Sequence, residues 1–281
     1  MTANTTFDGR FVDLQNANLT LPPYLTIPLQ KVTGDLRNRK DFEKHYSPKL
    51  VSIGPIHHGR PNLELGEKYK LRWAAKFIQN TRRNPKDLYK KIADNIDELK
   101  NLFSDDVLTG VSCEGFDNLE QKLSWMLFVD GCSLLHILEI ETTEQEENIK
   151  FDKLFLVFGD VLLIENQLPY QLLMMFLPVE ESTRRNDFFF SSYNNEFDLI
   201  QKMFSFLLQY FCFLKVDNFY PQHRPIHLLD LLRQMWMPKS TRKFQVSKHN
   251  FLFEGKRYQN IIIKRKLVMN YLVFIYFSST D

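Results

Sequence analysis

Residues 151–176 are the most apolar stretch of the chain, and Pro169 divides them. Proline has no backbone N–H and its ring clashes with the preceding helical turn, so it starts or kinks a helix rather than occupying its interior. The stretch therefore predicts two helices, 151–165 and 169–177, joined by a turn at Glu165-Asn166-Gln167-Leu168-Pro169. Three strongly polar residues stand in this otherwise apolar region. Buried Asn and Gln must satisfy donors and acceptors together, and a buried Glu needs a partner. The turn also leaves helix-end carbonyls and the next helix's amides unpaired. Glu165, Asn166 and Gln167 are suited to tie those groups together, with Arg233, His57 or His58 as the counter-partner of Glu165. A ligand pocket is the alternative reading.

Further helices follow from apolar spacing at three and four residues. Leu63, Tyr69, Trp73 and Phe77 predict a helix over 63–81. Asn84-Pro85, a capping residue followed by proline at the first helical position, opens another over 85–103. Segment 118–139 is apolar on most sides and should be central. Helices over 196–214 and 226–236 complete the set. Pro48 and Pro55 bracket an extended stretch, since proline disfavours helix for the residue before it. The chain has 25 Phe and only 10 Gly, which favours long helices over tight-turned β architecture. The expected fold is mainly α: an irregular multi-helix domain over 23–238, after a flexible tail at 1–22. From Lys239 the character changes. Nine basic residues and one acid, Glu254, lie between Lys239 and Lys266, and Val246, Phe251, Phe253 and Tyr258 are β-prone. Residues 239–281 are thus expected to form a β-prone, poorly packed basic tail.

Few residue patterns carry chemistry. His57 and His58 are adjacent on an extended segment, where neighbouring side chains point to opposite faces and cannot easily share a metal. His223 and His227 have the four-residue spacing of helical ligands, but Pro225 breaks the face between them. No metal site is expected. The structural expectation is that His57 or His58 supports the following helix start and that His227 packs at a helix N-terminus. Asp130-Gly131-Cys132 resembles a nucleophile motif, but Cys132 lies in an apolar helical run beside a carboxylate, which raises a thiol pKa. Gly131 is explained by a second helix whose backbone passes close to it. The chain holds no phosphate-binding glycine loop and no nucleophile elbow, so no cofactor is expected. With Lys plus Arg at 36 and Asp plus Glu at 34, the net charge of +2 makes no general case for nucleic acid.

Residues 1–20 lack the basic start and apolar run of a secretory signal. Three scattered cysteines, Cys113, Cys132 and Cys212, exclude a disulfide scaffold. Near the end, Leu267–Phe277 is apolar, yet a bilayer span needs about 20 such residues. It is too short for a confident membrane anchor, and a cytoplasmic or peripheral location is expected.

Four motifs in order give the chain a specific resemblance. Val51-Ser52-Ile53-Gly54-Pro55-Ile56-His57-His58-Gly59 is followed by Glu67 and Lys70 at a helix start. Met126-Leu127-Phe128-Val129-Asp130-Gly131-Cys132 comes next, then Asp160-Val161-Leu162-Leu163-Ile164-Glu165-Asn166-Gln167-Leu168-Pro169-Tyr170, then His227-Leu228-Leu229-Asp230-Leu231-Leu232-Arg233. Together they resemble the plant-restricted family known as domain of unknown function 247. The resemblance spans roughly residues 27–238. It implies a helical, plant-specific protein without established catalytic activity, and its structural signature residues here are Gly54, His57, His58, Gly59, Asp130, Gly131, Cys132, Glu165, Asn166, Gln167, Pro169, His227 and Asp230. Members are usually longer, often with a hydrophobic C-terminal span, which suggests membrane association and makes this chain look C-terminally truncated. Some members are linked to pollen–stigma recognition.

The expected function is therefore recognition or scaffolding through a protein partner, in cell signalling or self-recognition. The alternatives are an enzyme or ligand-binding protein built on His57 or His58 with Glu165, or a nonfunctional truncated product.

Overall fold

The computed structural model describes residues 28–140, 149–178, 193–210, 221 and 223–236. The expected tails at 1–22 and 239–281, including Leu267–Phe277, lie outside the described residues.

The fold is mostly helical, and no β-strand occurs among the described residues. The helices are α1 (Gly34–Arg37), α2 (Phe42–Tyr46), α3 (Glu64–Thr81), α4 (Pro85–Ala93), α5 (Ile96–Lys100), α6 (Asp105–Leu108), α7 (Leu119–Glu139), α8 (Phe151–Asp160), α9 (Tyr170–Met175), α10 (Glu196–Tyr210) and α11 (Leu228–Trp236). A single parallel bridge joins Leu29 to Phe103.

α7 is the axis. It is buried nearly all round from Leu123 to Leu138, because its apolar residues fall on every face. α3 packs along it most extensively, and α4, α5, α9 and α10 also contact it. Its start is fixed locally. Asn118 Oδ1 accepts the Gln121 N–H at 2.8 Å, and Gln121 Oε1 accepts the Asp117 N–H at 2.8 Å. One orphan amide of the first turn and the amide just before the cap are thereby satisfied.

Several predicted helices are shorter or divided, 169–177 among them, since α9 spans Tyr170–Met175. The segment 85–103 breaks after Ala93, where Asn95 Nδ2 donates to the Lys91 carbonyl at 2.8 Å and competes with the helical pattern. The segment 151–165 ends at Asp160, because side chains rather than helix take up the carbonyls that follow. In 226–236, His227 is the cap rather than part of the helix. The short helices α1, α2 and α6 were not legible from apolar spacing.

Two close approaches shape the core. A Cβ on Gly131 would lie 2.4 Å from the Phe176 ring. What crosses α7 there is an aromatic side chain, not the helix backbone expected from the sequence. The backbone crossing occurs at Gly66 in α3, where a Cβ would stand 1.9 Å from the Leu50 carbonyl oxygen. Gly66 thus lets the 48–54 segment pass directly over α3.

Candidate functional site

The segment from Pro48 to Gly54 runs through the protein with no strand beside it. Its backbone groups must still be paired, since a buried orphan costs about 1–3 kcal/mol. Side chains supply the pairing. Asp160, at the end of α8, accepts the Lys49 N–H at 2.8 Å, the Leu50 N–H at 2.7 Å and the Val51 N–H at 2.9 Å. Burial pushes its carboxyl up to about 6, with those three donors pulling the other way.

Asn166 acts as a substitute peptide group. Its Oδ1 accepts the Ile53 N–H at 2.6 Å, and its Nδ2 donates to the Val51 carbonyl at 3.0 Å. A neighbouring parallel strand would make the same two bonds on either side of Ser52. Nδ2 also donates to the Asp160 carbonyl at 2.9 Å. Gln167 closes the turn: its Nε2 donates to the Val161 and Leu163 carbonyls, both at 2.8 Å, and its Oε1 accepts the Leu229 N–H of α11 at 3.1 Å.

Asp130 lies on the other side of the same segment. Its Oδ2 accepts the Gly54 N–H at 2.8 Å, and its Oδ1 is 2.5 Å from Lys70 Nζ. Gly54 has φ +77°, and a Cβ there would meet the Gln167 carbonyl oxygen at 2.9 Å, so position 54 requires glycine. Lys70 is also 2.9 Å from Glu67 Oε1, which Ser52 Oγ approaches at 2.7 Å. Burial pushes the Asp130 carboxyl up to about 6, against the pull of Lys70. Burial acts to lower Lys70, but Asp130 and Glu67 outweigh it and raise the ammonium above its ordinary value.

Glu165 is buried, with Oε1 accepting the Val32 N–H at 2.6 Å and pairing with Arg37. Burial would raise its carboxyl, but His57, the Val32 N–H and Arg37 hold it below the ordinary range. His57 Nε2 stands 3.3 Å from Glu165 Oε2, and neither atom meets hydrogen-bond geometry. Burial pushes His57 down, so its ring is neutral near pH 7. The partners of Glu165 are thus His57 and Arg37. His58 is 3.9 Å from Glu67 instead, and Arg233 pairs with Asp230 at 2.8 Å.

His227 and Asp230 form a capping pair at α11. His227 Nδ1 accepts the Asp230 N–H at 3.1 Å, and Asp230 Oδ2 accepts the Ile226 N–H at 3.0 Å. Pro169 caps α9, whose first N–H, from Tyr170, donates to the Ile226 carbonyl at 2.7 Å. Cys132 is buried, and burial raises its thiol far above the range in which it could act as a nucleophile. Gly59 has φ +78° in open space. The structure therefore brings Gly54, Asp130, Asn166 and Gln167 onto one segment and His57 onto Glu165, while Cys132 and Gly59 stand apart. No group of three or more potential metal ligands occurs among the described residues.

Sequence reading passed over Asp160, Gly66, Ser52 and Arg37 as site residues. Asp160 carried a signal, a carboxylate closing an apolar helix just before a turn. Gly66 carried another, a glycine inside the first turn of a helix. Arg37 lies far from Glu165 in sequence and gave none.

Comparison with known proteins places the chain. The family described as plant protein of unknown function, DUF247, matches residues 29–267. The match runs past the last quoted motif into the basic stretch beyond Lys239. A UPF0481 protein of Arabidopsis thaliana is 27% identical over 230 residues, 76% of this chain and 43% of that protein. The chain thus spans less than half the length of this curated relative. No solved structure matches. With most of its length aligned to that family, the chain belongs to the DUF247 proteins of plants.

Proposed function

We propose that the chain is a non-enzymatic recognition or scaffold protein that acts through a protein partner, in signalling or self-recognition. One observation carries this reading. The polar side chains of the motifs spend their hydrogen bonds on the protein's own backbone: Asp160 on three amides, Asn166 on three backbone groups, Asp130 on Gly54, and Gln167 on two carbonyls of its turn and a helix start. A reagent needs an open approach and a free acceptor or donor. Chemistry of this kind fixes a shape, and a shape serves binding. Among the described residues no helix is long and apolar enough to cross a membrane.

The enzyme reading retains one point in its favour, the 3.3 Å approach of His57 to Glu165. Both side chains are fully covered. The test uses the full chain, tagged and cross-linked in plant cells, beside a screen of hydrolase and transferase substrates. The proposal expects a reproducible, saturable protein partner whose binding survives His57→Gln. Turnover of any substrate that vanishes in folded His57→Gln and Glu165→Gln would contradict it.

A further inference from the structure

Residues 30–46 cross the outside of the molecule between two fixed points. At one end Leu29 is paired with the 102–104 backbone, through Leu29 N–H to Leu102 O at 2.8 Å and Ser104 N–H to Leu29 O at 3.0 Å. At the other end Asp160 grips residues 49–51. Between these anchors the segment has its own small apolar cluster, Phe42 stacked on Tyr46 at 4.9 Å with Val32 and Ile164 beside them, and Ile164 also packs against the main core. α1 buries no residue at all. The polar fastening of this segment to the turn beneath it is Glu165, through the Val32 N–H and Arg37, whose side chain is 32% exposed.

Beneath that fastening lies an imperfectly satisfied pair. Both ring nitrogens of His57 and Oε2 of Glu165 are buried without a hydrogen bond. Each such group costs free energy that contact with water would recover. The charged groups facing His57 are Glu165 from the turn, Arg37 from the overlying segment and Arg60 from its own loop.

We propose that residues 30–46 are a strap that lifts from the Glu165–His57 pair as one unit, and that proton uptake by His57 favours the lifted state. The proton comes from solvent. In the closed state His57 is fully buried, and burial, helped by Arg60 and Arg37, opposes a charge on its ring more than Glu165 favours one. In the open state the ring is hydrated and takes a proton in its ordinary range. A proton bound by the open state alone shifts the equilibrium toward opening. The two anchors remain in place, so the strap opens without unfolding the helices.

Hydrogen exchange of the full chain, followed by mass spectrometry and corrected for the intrinsic effect of pH, tests this. Amides of 32–46 are expected to exchange at least tenfold faster than those of 49–54. From pH 7 to 5.5 the strap amides should speed up by as much as about eightfold, given an open-state His57 near 6.5. His57→Gln should abolish that acceleration. Arg37→Gln, at a half-exposed position, should speed the strap at pH 7 and leave 49–54 unchanged. Strap amides that exchange in step with 49–54 would overturn the proposal. So would exchange that is insensitive to pH, an acceleration that persists in His57→Gln, or an Arg37→Gln strap as slow as wild type.

Discussion

Lys70 Nζ lies 2.5 Å from Asp130 Oδ1, and both side chains are 1% exposed. A buried pair of this kind is costly to half-remove: without Lys70 the Asp130 carboxylate loses its cationic partner, and without the Asp130 charge Lys70 is left with Glu67 alone. Asp130→Asn should destabilise the protein by about 3–5 kcal/mol, and Lys70→Met should cost a similar amount. The double variant Asp130→Asn with Lys70→Met should cost clearly less than the sum. Urea unfolding of the four proteins checks this, and strict additivity would mean the two groups do not act as a pair.

Asn166 faces the backbone with a donor and an acceptor in fixed places. Asn166→Ala leaves the Ile53 N–H and the Val51 carbonyl unpaired, removes one of the two donors to the Asp160 carbonyl and should cost about 3 kcal/mol. Asn166→Asp has nearly the same shape but turns the donor into an acceptor against two carbonyls. It should be at least as damaging as alanine at neutral pH. Thermal melts separate the cases, and a benign aspartate would show that the donor is idle.

The two glycines in close contact should differ. Gly66→Ala drives a methyl group into the Leu50 backbone and should cost more than about 3 kcal/mol. Gly131→Ala meets the rim of the Phe176 ring, which can shift, and should cost about 1–3 kcal/mol. Phe176→Leu combined with Gly131→Ala should recover part of the loss, whereas no neighbouring side-chain change should rescue Gly66→Ala. Chemical denaturation of the three variants provides the comparison.

His227 caps α11 as an acceptor, so it must be neutral in the fold. Burial pushes its pKa down to about 4 from 6.5. Between those values the unfolded chain binds the proton and the folded chain does not, so stability is full above pH 6.5 and lost as pH falls toward 4. By pH 5 this share is about 2 kcal/mol. Asparagine accepts the same amide without titrating. His227→Asn should therefore keep neutral-pH stability within about 1 kcal/mol and lose less of it on acidification. Asp130 and Asp160 act in the opposite sense below about 6 in both proteins, so the difference between the curves isolates His227.

Much of the helical frame was legible in the sequence because apolar spacing and caps are local. Asn84-Pro85 and Asn118 mark helix starts where α4 and α7 begin, and the all-round apolar pattern of α7 implies its central position. Pro169 was legible for the same reason. The pairing of Asp160 with Lys49, Leu50 and Val51 was not, because it joins residues about 110 apart through hydrogen bonds that leave no periodicity. Arg37 as the partner of Glu165 was hidden likewise, behind α1, a helix too short to show an apolar face. Gly131 announced a close approach but not what approaches, since a ring and a backbone both require the missing side chain.

Side chains serve as the missing neighbour of the 48–54 segment. Amide exchange at Leu50, Val51 and Ile53, measured by NMR on the wild-type chain, tests this most directly. These amides have no strand to protect them, so with side chains in that role their protection should be comparable with the centre of α7 and should fall at Ile53 in Asn166→Ala. Exchange at the rate of an open loop in the wild-type protein would contradict it.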